Sequence, residues 1–220
     1  PTVSLTYTVS GTTVSSVSEN DVVTITATFN EDIADSPVMQ LAGSGVTTIS
    51  AANMTKVSAT SYTYIWTVGA GSGTQTFALA TGTDTSGNVV TATPTAGATI
   101  AVDNTAPTAS LAYSVSGTTV SSVSENDVVT ITATFNESIA DSPVMQLSGS
   151  GVTTISAANM TKVSATSYTY TWTVEAGAGT QTFAMATGTD VAGNAVIATP
   201  TSGATIVIDA PQHITKHGKI

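Results

Sequence analysis

The sequence predicts an all-β protein built from two tandem immunoglobulin-like β-sandwich domains. Three observations support this fold class. The chain repeats itself: Pro1 aligns with Pro107 and Trp66 with Trp172, a spacing of 106 residues. Each repeat consists of short segments in which apolar and polar residues alternate, bounded by Gly, Ser, Asn and Pro, and no segment has helical periodicity. About seven or eight strands in roughly 100 residues, with turn signals every 8–12 residues, are typical of an immunoglobulin-like sandwich.

The repeat also sets the domain boundaries. The stretch SGTTVSSVSENDVVTITATFNE occurs without change at 10–31 and at 116–137. Copies this similar indicate a recent duplication, so the positions that differ are the informative ones. We predict domains at 1–104 and 105–210, joined at VDNTAPTASL, where the proline favours a short extended connection. Residues 211–220 depart from the repeat and are predicted to be the start of another segment or an expression remnant.

The predicted strands follow the period-two pattern along the first repeat. They are TVSLTYTV (2–9), DVVTITATF (21–29), VMQL (38–41), NMTKV (53–57), YTYIWTV (62–68), TQTFALAT (74–81) and ATIAV (98–102). NMTKV and YTYIWTV are expected to form a hairpin around SATS. In YTYIWTV the aromatic residues share one face and Ile65 lies on the other. Because Ile65 becomes Thr171 in the second repeat, we predict that the aromatic face is buried.

Composition excludes several classes of function. The 220 residues are 41% hydrophobic and 8% charged, with no cysteine and a formal net charge of −10. This apolar content can form cores, the lack of cysteine excludes disulfides and thiolate metal sites, and the negative charge argues against nucleic-acid binding. No apolar run approaches the roughly 20 residues that cross a bilayer, so we predict no membrane insertion. The sequence begins at PTVSL without a signal peptide, and we expect a fragment of a longer protein.

Several motifs resemble known repeats. DNTAPT at the junction, VTITATFNE in the second strand and TDxxGN near the end of each repeat resemble the bacterial and archaeal (BIg-type) Ig-like repeats of giant cell-surface proteins. Those include the calcium-dependent extender repeats of long adhesins, and the sequence is also similar to Ig-like repeats of archaeal S-layer-type proteins. The resemblance covers residue 1 to about residue 209. It implies an extracellular spacer or scaffold at the cell surface, often stiffened by Ca²⁺.

Acidic loops suggest where an ion would bind. In an immunoglobulin-like sandwich the entry linker, the loop after the second strand and the loop before the last strand gather at the N-terminal pole. Carboxylates that converge there without lysine or arginine would repel one another, and Ca²⁺ would remove that cost with six to eight oxygen ligands. For the second domain the predicted ligands are Asp103, Asn104, Glu137, Asp141, Asp190 and Asn194.

The first domain has a matching but weaker predicted set. Its ligands are Glu31, Asp35, Asp84 and Asn88, with no upstream linker aspartate. The alternative for both domains is that Asp84 and Asp190 only form Asx-turns within their Gly-Asn loops. Both interpretations remain open from the sequence.

Catalysis is not expected. Neither repeat contains histidine, cysteine or arginine, so Ser-His-Asp and Cys-His systems cannot form within the sandwiches. The carboxylates of Glu31 and Asp35 lie in one short loop, which does not favour a glycosidase pair. Lys56 and Lys162 are interpreted as strand lysines with exposed amines, the alternative being a covalent cross-link to Asn or Asp.

The sequence therefore predicts non-catalytic extender repeats of a large extracellular adhesin-like protein, with neighbouring repeats of the same chain as partners. The alternatives are a surface-lattice (S-layer) component and a module that binds glycan or protein through its loops. The ligand of such a parent protein is not indicated by the sequence.

Overall fold

The structure is a computed structural model that describes residues 1–210. The chain divides into two compact units, Pro1–Thr105 and Ala106–Ile220, a boundary one residue beyond the one in the sequence prediction. The predicted tail, 211–220, lies outside the described residues. Every regular element of the described part is a β-strand, and that part has no helix long and apolar enough to cross a bilayer.

Unit 1 is described in full and contains ten strands. They are β1 (Val3–Val9), β2 (Thr12–Thr13), β3 (Ser16–Val17), β4 (Val22–Phe29), β5 (Gln40–Ser44), β6 (Ile49–Asn53), β7 (Thr55–Ser58), β8 (Ser61–Thr67), β9 (Gly73–Thr81) and β10 (Thr99–Val102). They form two five-stranded sheets, with orders β2-β1-β4-β8-β7 and β3-β10-β9-β5-β6. Neighbours are antiparallel except β3 and β10, which run parallel.

The two sheets of unit 1 enclose a single apolar core. The inward side of β4 presents Val23, Ile25 and Ala27, all fully buried, as strict alternation requires. Trp66 of β8 meets Phe77 of β9 edge to face, with ring centroids 5.3 Å apart. This is a favourable geometry for an aromatic pair and joins the two sheets across the core.

Unit 2 repeats the same fold with the same sheet orders. Its strands are β11 (Ala109–Val115), β12 (Thr118–Thr119), β13 (Ser122–Val123), β14 (Val128–Phe135), β15 (Gln146–Ser150), β16 (Ile155–Asn159), β17 (Thr161–Ser164), β18 (Ser167–Thr173), β19 (Gly179–Thr187) and β20 (Thr205–Ile208). Trp172 and Phe183 form the equivalent edge-to-face pair at 5.4 Å. The predicted fold class, two tandem immunoglobulin-like sandwiches, is confirmed.

The strand details differ from the prediction in a few places. The aromatic face of β8 is buried as predicted, whereas Ile65 is 56% exposed. The hairpin turn is only Ala59 and Thr60, because β7 ends at Ser58 and β8 begins at Ser61. The strand predicted at 38–41 lies at Gln40–Ser44. Strands β2, β3 and β6 were not predicted, since two of them are two residues long and ISAAN in β6 does not alternate.

A buried amide fixes the loop between β5 and β6. Gln75 is fully buried and its side chain makes two hydrogen bonds to one loop residue. Its Oε1 accepts from the Thr47 N–H at 2.8 Å, and its Nε2 donates to the Thr47 carbonyl at 2.8 Å. Both backbone groups of Thr47 are therefore satisfied inside the sandwich, which makes Gln75 a structural residue.

The segment before β10 packs tightly against β1. The Leu5 N–H donates to the Ala96 carbonyl at 2.9 Å, and the Tyr7 hydroxyl donates to the Gly97 carbonyl at 2.5 Å. Gly97 has a φ of +70°, and a Cβ built there would lie 2.0 Å from the Leu5 carbonyl oxygen. Only glycine permits this approach, which closes the open edge of the sandwich.

The chain enters and leaves a unit at opposite ends of its central strand. The Asn30 N–H, just after β4, donates to the Thr2 carbonyl, and we call this end the N-terminal pole. At the other end, beside the start of β4, the Asp103 N–H donates to the Val17 carbonyl. We call this end the C-terminal pole.

Candidate metal centre

Three segments meet at the N-terminal pole of unit 1, as the topology predicts. The entering chain pairs with the end of β4 through two hydrogen bonds, from the Thr2 N–H to Asn30 Oδ1 at 2.6 Å and from the Asn30 N–H to the Thr2 carbonyl at 3.2 Å. The loop after β4 pairs with the loop after β9, since the Ala34 N–H donates to the Thr83 carbonyl at 2.9 Å. Asp84 follows directly and lies beside this junction.

The N-terminal pole of unit 2 is built in the same way. The Thr108 N–H donates to Asn136 Oδ1 at 2.7 Å, and the Ala140 N–H donates to the Thr189 carbonyl at 2.9 Å. The short bridge that follows places Asp190 opposite Ile139. Within each unit, the loops that meet at the N-terminal pole are the ones expected from the strand order of an immunoglobulin-like sandwich.

Asp190 is a buried carboxylate held by its own loop. Its side chain is only 3% exposed. Oδ1 accepts a hydrogen bond from the Asn194 N–H at 2.9 Å, and Oδ2 accepts one from Asn194 Nδ2 at 2.8 Å. Gly193, at φ +99°, lets the loop curl around the carboxylate. The turn-forming role considered for Asp190 is therefore present, and each carboxylate oxygen retains acceptor capacity beyond these bonds.

Asp84 is held by its loop in the same manner. Its Oδ2 accepts from Asn88 Nδ2 at 2.6 Å, and its Oδ1 accepts from the backbone N–H groups of Ser86 and Asn88, each at 2.8 Å. The Asn88 side-chain bond, together with the backbone bonds, lowers the pKa of Asp84 below the usual value of an aspartate. The loop therefore stabilises a charged carboxylate at this position.

A second carboxylate approaches Asp190 within unit 2. An oxygen of Glu137, which is half-buried, lies within 4.8 Å of an oxygen of Asp190. Two carboxylates at this distance repel one another, and the repulsion is strongest where one of them is buried. Glu137 and Asp190 are thus the two predicted carboxylate ligands that unit 2 itself brings close together, beside Asn194.

Two of the predicted ligands are paired with lysine instead. Asp141 Oδ1 lies 2.5 Å from Lys162 Nζ, and Asp35 Oδ1 lies 2.5 Å from Lys56 Nζ. We expected no lysine near the acidic residues of these loops, and that expectation is wrong for Asp35 and Asp141. In unit 2 the hydrogen bond to Asp141 raises the pKa of Lys162, which keeps the amine charged and unsuited to attack a carboxyl group.

Three predicted ligands of unit 1 remain, one at its N-terminal pole and two at its C-terminal pole. Glu31 Oε1 is 3.3 Å from the backbone nitrogen of Pro1, at the N-terminal pole. Asp103 and Asn104 lie at the C-terminal pole. Asp103 Oδ1 accepts from the Thr105 N–H at 3.0 Å, and Asn104 Oδ1 accepts from the Glu19 N–H at 2.5 Å. The structure thus directs the Asn104 amide to its own unit, which differs from the predicted role.

The lysine pairs and the Asn104 contacts were missed for a common reason. Each depends on which way a short polar loop turns, and strand periodicity carries no information about that. One signal was available for the lysines. Each sandwich contains a single lysine, Lys56 or Lys162, so any pair between a lysine and an acidic residue of the same sandwich has to use that lysine.

Comparisons with known proteins give little beyond this geometry. No family model matches the chain, and no curated protein matches it. Among solved structures, the chain is similar to FdeC, described as a broadly conserved Escherichia coli adhesin that elicits protection against urinary tract infections, with 12% sequence identity and a TM-score of 0.45. The similarity covers 94% of this chain and 64% of that one, so the chain spans less than two-thirds of the structure it resembles.

Proposed function

We propose that the two units are non-catalytic extender or spacer repeats of a large adhesin-like protein at the cell surface. The observation that carries this proposal is the position of the chain at the two poles of a unit. The entering chain pairs with Asn30 at one end of β4, and the departing chain pairs with Val17 beside the other end. Because β4 has eight residues, these ends are about 25 Å apart. A unit that separates its entry point from its exit point in this way is suited to act as a spacer.

The chemistry of the repeats favours a structural role over a catalytic one. Residues 1–210 contain no histidine, cysteine or arginine. Asp35, which the sequence offered as half of a carboxylate pair with Glu31, is engaged by Lys56. The buried polar groups at the poles, such as Asp84 and Asp190, hold turns together.

We further propose that the N-terminal pole of unit 2 binds Ca²⁺. Glu137 and Asp190 would be its ligands from unit 2. Two oxygens bound to one Ca²⁺ are at most about 5 Å apart, so the 4.8 Å limit on this pair fits a shared ion. The carboxylates are hard oxygen donors of the kind Ca²⁺ prefers. A bound ion would supply the positive charge that cancels the repulsion between them.

Asp103 is proposed as a third ligand, contributed by the connector. The Ile197 N–H donates to the Pro107 carbonyl at 2.9 Å, so the chain arrives at unit 2 at this pole. Asp103 is four residues before Pro107, which places it within about 14 Å along an extended chain. Asp35 and Asp141 are left out of the proposed ligand set because each is already paired with a lysine ammonium. Asn104 is left out because its only side-chain oxygen accepts from the Glu19 N–H within unit 1.

Calorimetric titration of the 220-residue chain with Ca²⁺ tests the ion. We expect saturable binding, and we expect Glu137→Gln to weaken it at least about tenfold, since removing a charged ligand lowers affinity. Asp141→Asn is the matched control from the same loop, and it should bind as the unchanged chain does. Absence of heat, or equal weakening by both substitutions, would refute the site.

Small-angle scattering with and without Ca²⁺ tests the spacer role. We expect the longest dimension of the chain to be better defined with the ion and more broadly distributed after chelation with EDTA. A compact chain in both conditions would contradict the spacer proposal. Saturable binding to a glycan array would favour the alternative binding module, and assembly of the full-length protein into sheets would favour a surface lattice.

A further inference from the structure

The side chain of Asn104 ties the end of unit 1 to two separate loops. Its Oδ1 accepts from the Glu19 N–H at 2.5 Å, in the turn before β4. Its Nδ2 donates to the Gly71 carbonyl at 2.8 Å, and its backbone N–H donates to Ser72 Oγ at 2.9 Å, both in the loop before β9. One residue thus makes three hydrogen bonds to its own unit, just before the unit ends at Thr105.

The second repeat lacks this arrangement. The position of Asn104 is occupied by Ala210, and that of Ser72 by Ala178. The other two partners are kept, as Glu125 and Gly177. Two of the four residues in this hydrogen-bond network therefore differ between the repeats, and the second repeat cannot form it with the same side chains.

The connector is also held from its other side. The Thr108 N–H donates to Asn136 Oδ1 at 2.7 Å, and the Pro107 carbonyl accepts from the Ile197 N–H at 2.9 Å. Ala106 precedes a proline, which restricts it to extended conformations. Between the anchors at Asn104 and Pro107, only two residues remain.

We infer that Asn104 is a connector clamp that confines bending between the units to Thr105 and Ala106, without any ion. With the clamp, the chain is hydrogen-bonded to unit 1 up to Asn104, the residue before the end of the unit at Thr105. Without it, the last hydrogen bond from the connector to another segment of unit 1 is the one from the Asp103 N–H to the Val17 carbonyl, since the bond from the Thr105 N–H to Asp103 Oδ1 lies within the connector itself. The clamp does not depend on the proposed calcium site. Its test is performed in EDTA, so a negative result for the clamp says nothing about calcium binding, and a negative calcium titration says nothing about the clamp.

Amide hydrogen exchange, followed by NMR in EDTA, offers a matched comparison within the unchanged chain. Glu19 and Glu125 lie in identical sequence, SVSENDVV, so their intrinsic exchange rates are equal. The Glu19 N–H has the Asn104 acceptor, and no hydrogen bond from the Glu125 N–H is found within residues 1–210. We expect Glu19 to exchange about 2- to 12-fold more slowly, the ratio that one net hydrogen bond produces.

Substitution then separates the clamp from other causes. Asn104→Ala should bring the Glu19 rate to that of Glu125, and Ser72→Ala should speed exchange of the Asn104 amide while leaving Glu19 closer to its original rate. The double change Ala178→Ser and Ala210→Asn should slow Glu125. Equal rates for Glu19 and Glu125 in the unchanged chain, or a Glu19 rate that Asn104→Ala does not alter, would overturn the clamp.

A distance measurement tests the effect on bending. The chain has no cysteine, so spin labels can be placed at Thr6→Cys and Ala112→Cys, which are equivalent exposed positions on β1 and β11. Asn104→Ala extends the unanchored connector from two residues to three, so we expect the distance distribution to broaden by about 1.2-fold or more. An unchanged width, with Glu19 exchange accelerated, would show that the clamp does not control bending and would refute the inference.

Discussion

Replacing Gly97 with alanine should destabilise unit 1 far more than replacing Gly11. Both glycines have positive φ, +70° and +81°, so both substitutions impose the same kind of backbone strain. They differ in what surrounds them. A Cβ at Gly97 would lie 2.0 Å from the Leu5 carbonyl oxygen, whereas a Cβ at Gly11 meets nothing within 4 Å. The pair therefore separates collision from strain.

The magnitudes follow from these contacts. Left-handed backbone costs an alanine about 1–2 kcal/mol, of which about 0.4–1 kcal/mol is offset by lost freedom in the unfolded chain, so Gly11→Ala should cost about 1 kcal/mol. At Gly97 the contact must open from 2.0 Å to at least 3.0 Å. That movement breaks the hydrogen bonds from Leu5 to Ala96 and from Tyr7 to Gly97, adding roughly 2–4 kcal/mol. The expected total for Gly97→Ala is about 3–5 kcal/mol.

Urea unfolding followed by tryptophan fluorescence measures this difference one unit at a time. Each unit contains one tryptophan, Trp66 or Trp172. In a Trp172→Phe background, Trp66 reports unit 1 alone, which avoids treating two units as one transition. If Gly97→Ala lowers the free energy of unfolding no more than Gly11→Ala does, the close backbone approach is not a constraint and the reasoning fails.

Three further outcomes are expected in the same assay. Gln75→Leu should lower the stability of unit 1 by roughly 2–4 kcal/mol, because both Thr47 backbone groups lose their buried partner; a change below about 0.5 kcal/mol would contradict this. Burial raises the pKa of Tyr7, so the unfolded chain loses that proton first, and stability should fall as pH rises above about 10. Tyr7→Phe should flatten this alkaline decline, and an unchanged slope would assign it elsewhere. In a Trp66→Phe background, where Trp172 reports unit 2 alone, Lys162→Met should alter the stability of unit 2 by less than about 1 kcal/mol, since its pair with Asp141 is exposed; a larger loss would show an unrecognised role.

The sequence was sufficient for the fold because its two strongest signals are independent of loop detail. Repetition at 106 residues and alternation in segments such as DVVTITATF follow directly from burying one face of each strand. Strand β6 was not predicted because Ile49–Asn53 is an edge strand with mostly exposed side chains, so its apolar and polar residues do not alternate.

The candidate metal centre was predictable only in part, for a different reason. Which loops meet is a matter of topology, so the approach of Glu137 to Asp190 could be anticipated. The hydrogen-bond partner of each polar side chain depends on the local conformation of its turn. The Asn104 side chain accepts a hydrogen bond from the Glu19 N–H of its own unit, and Asp141 pairs with Lys162 of β17. Neither contact changes the alternation of apolar and polar residues in the sequence.

The parallel pairing of β3 with β10 has a mechanical consequence. In unit 1, Ala101 and Val102 pair with Ser16 and Val17 close to where the chain departs. A tensile force applied at the two ends of the unit would slide these strands past each other along their length. Their hydrogen bonds would then carry the load together, instead of opening one after another as in a peeled hairpin. The antiparallel pairing of β10 with β9 would be loaded in the same direction, so the two pairings of β10 would share the resistance to stretching.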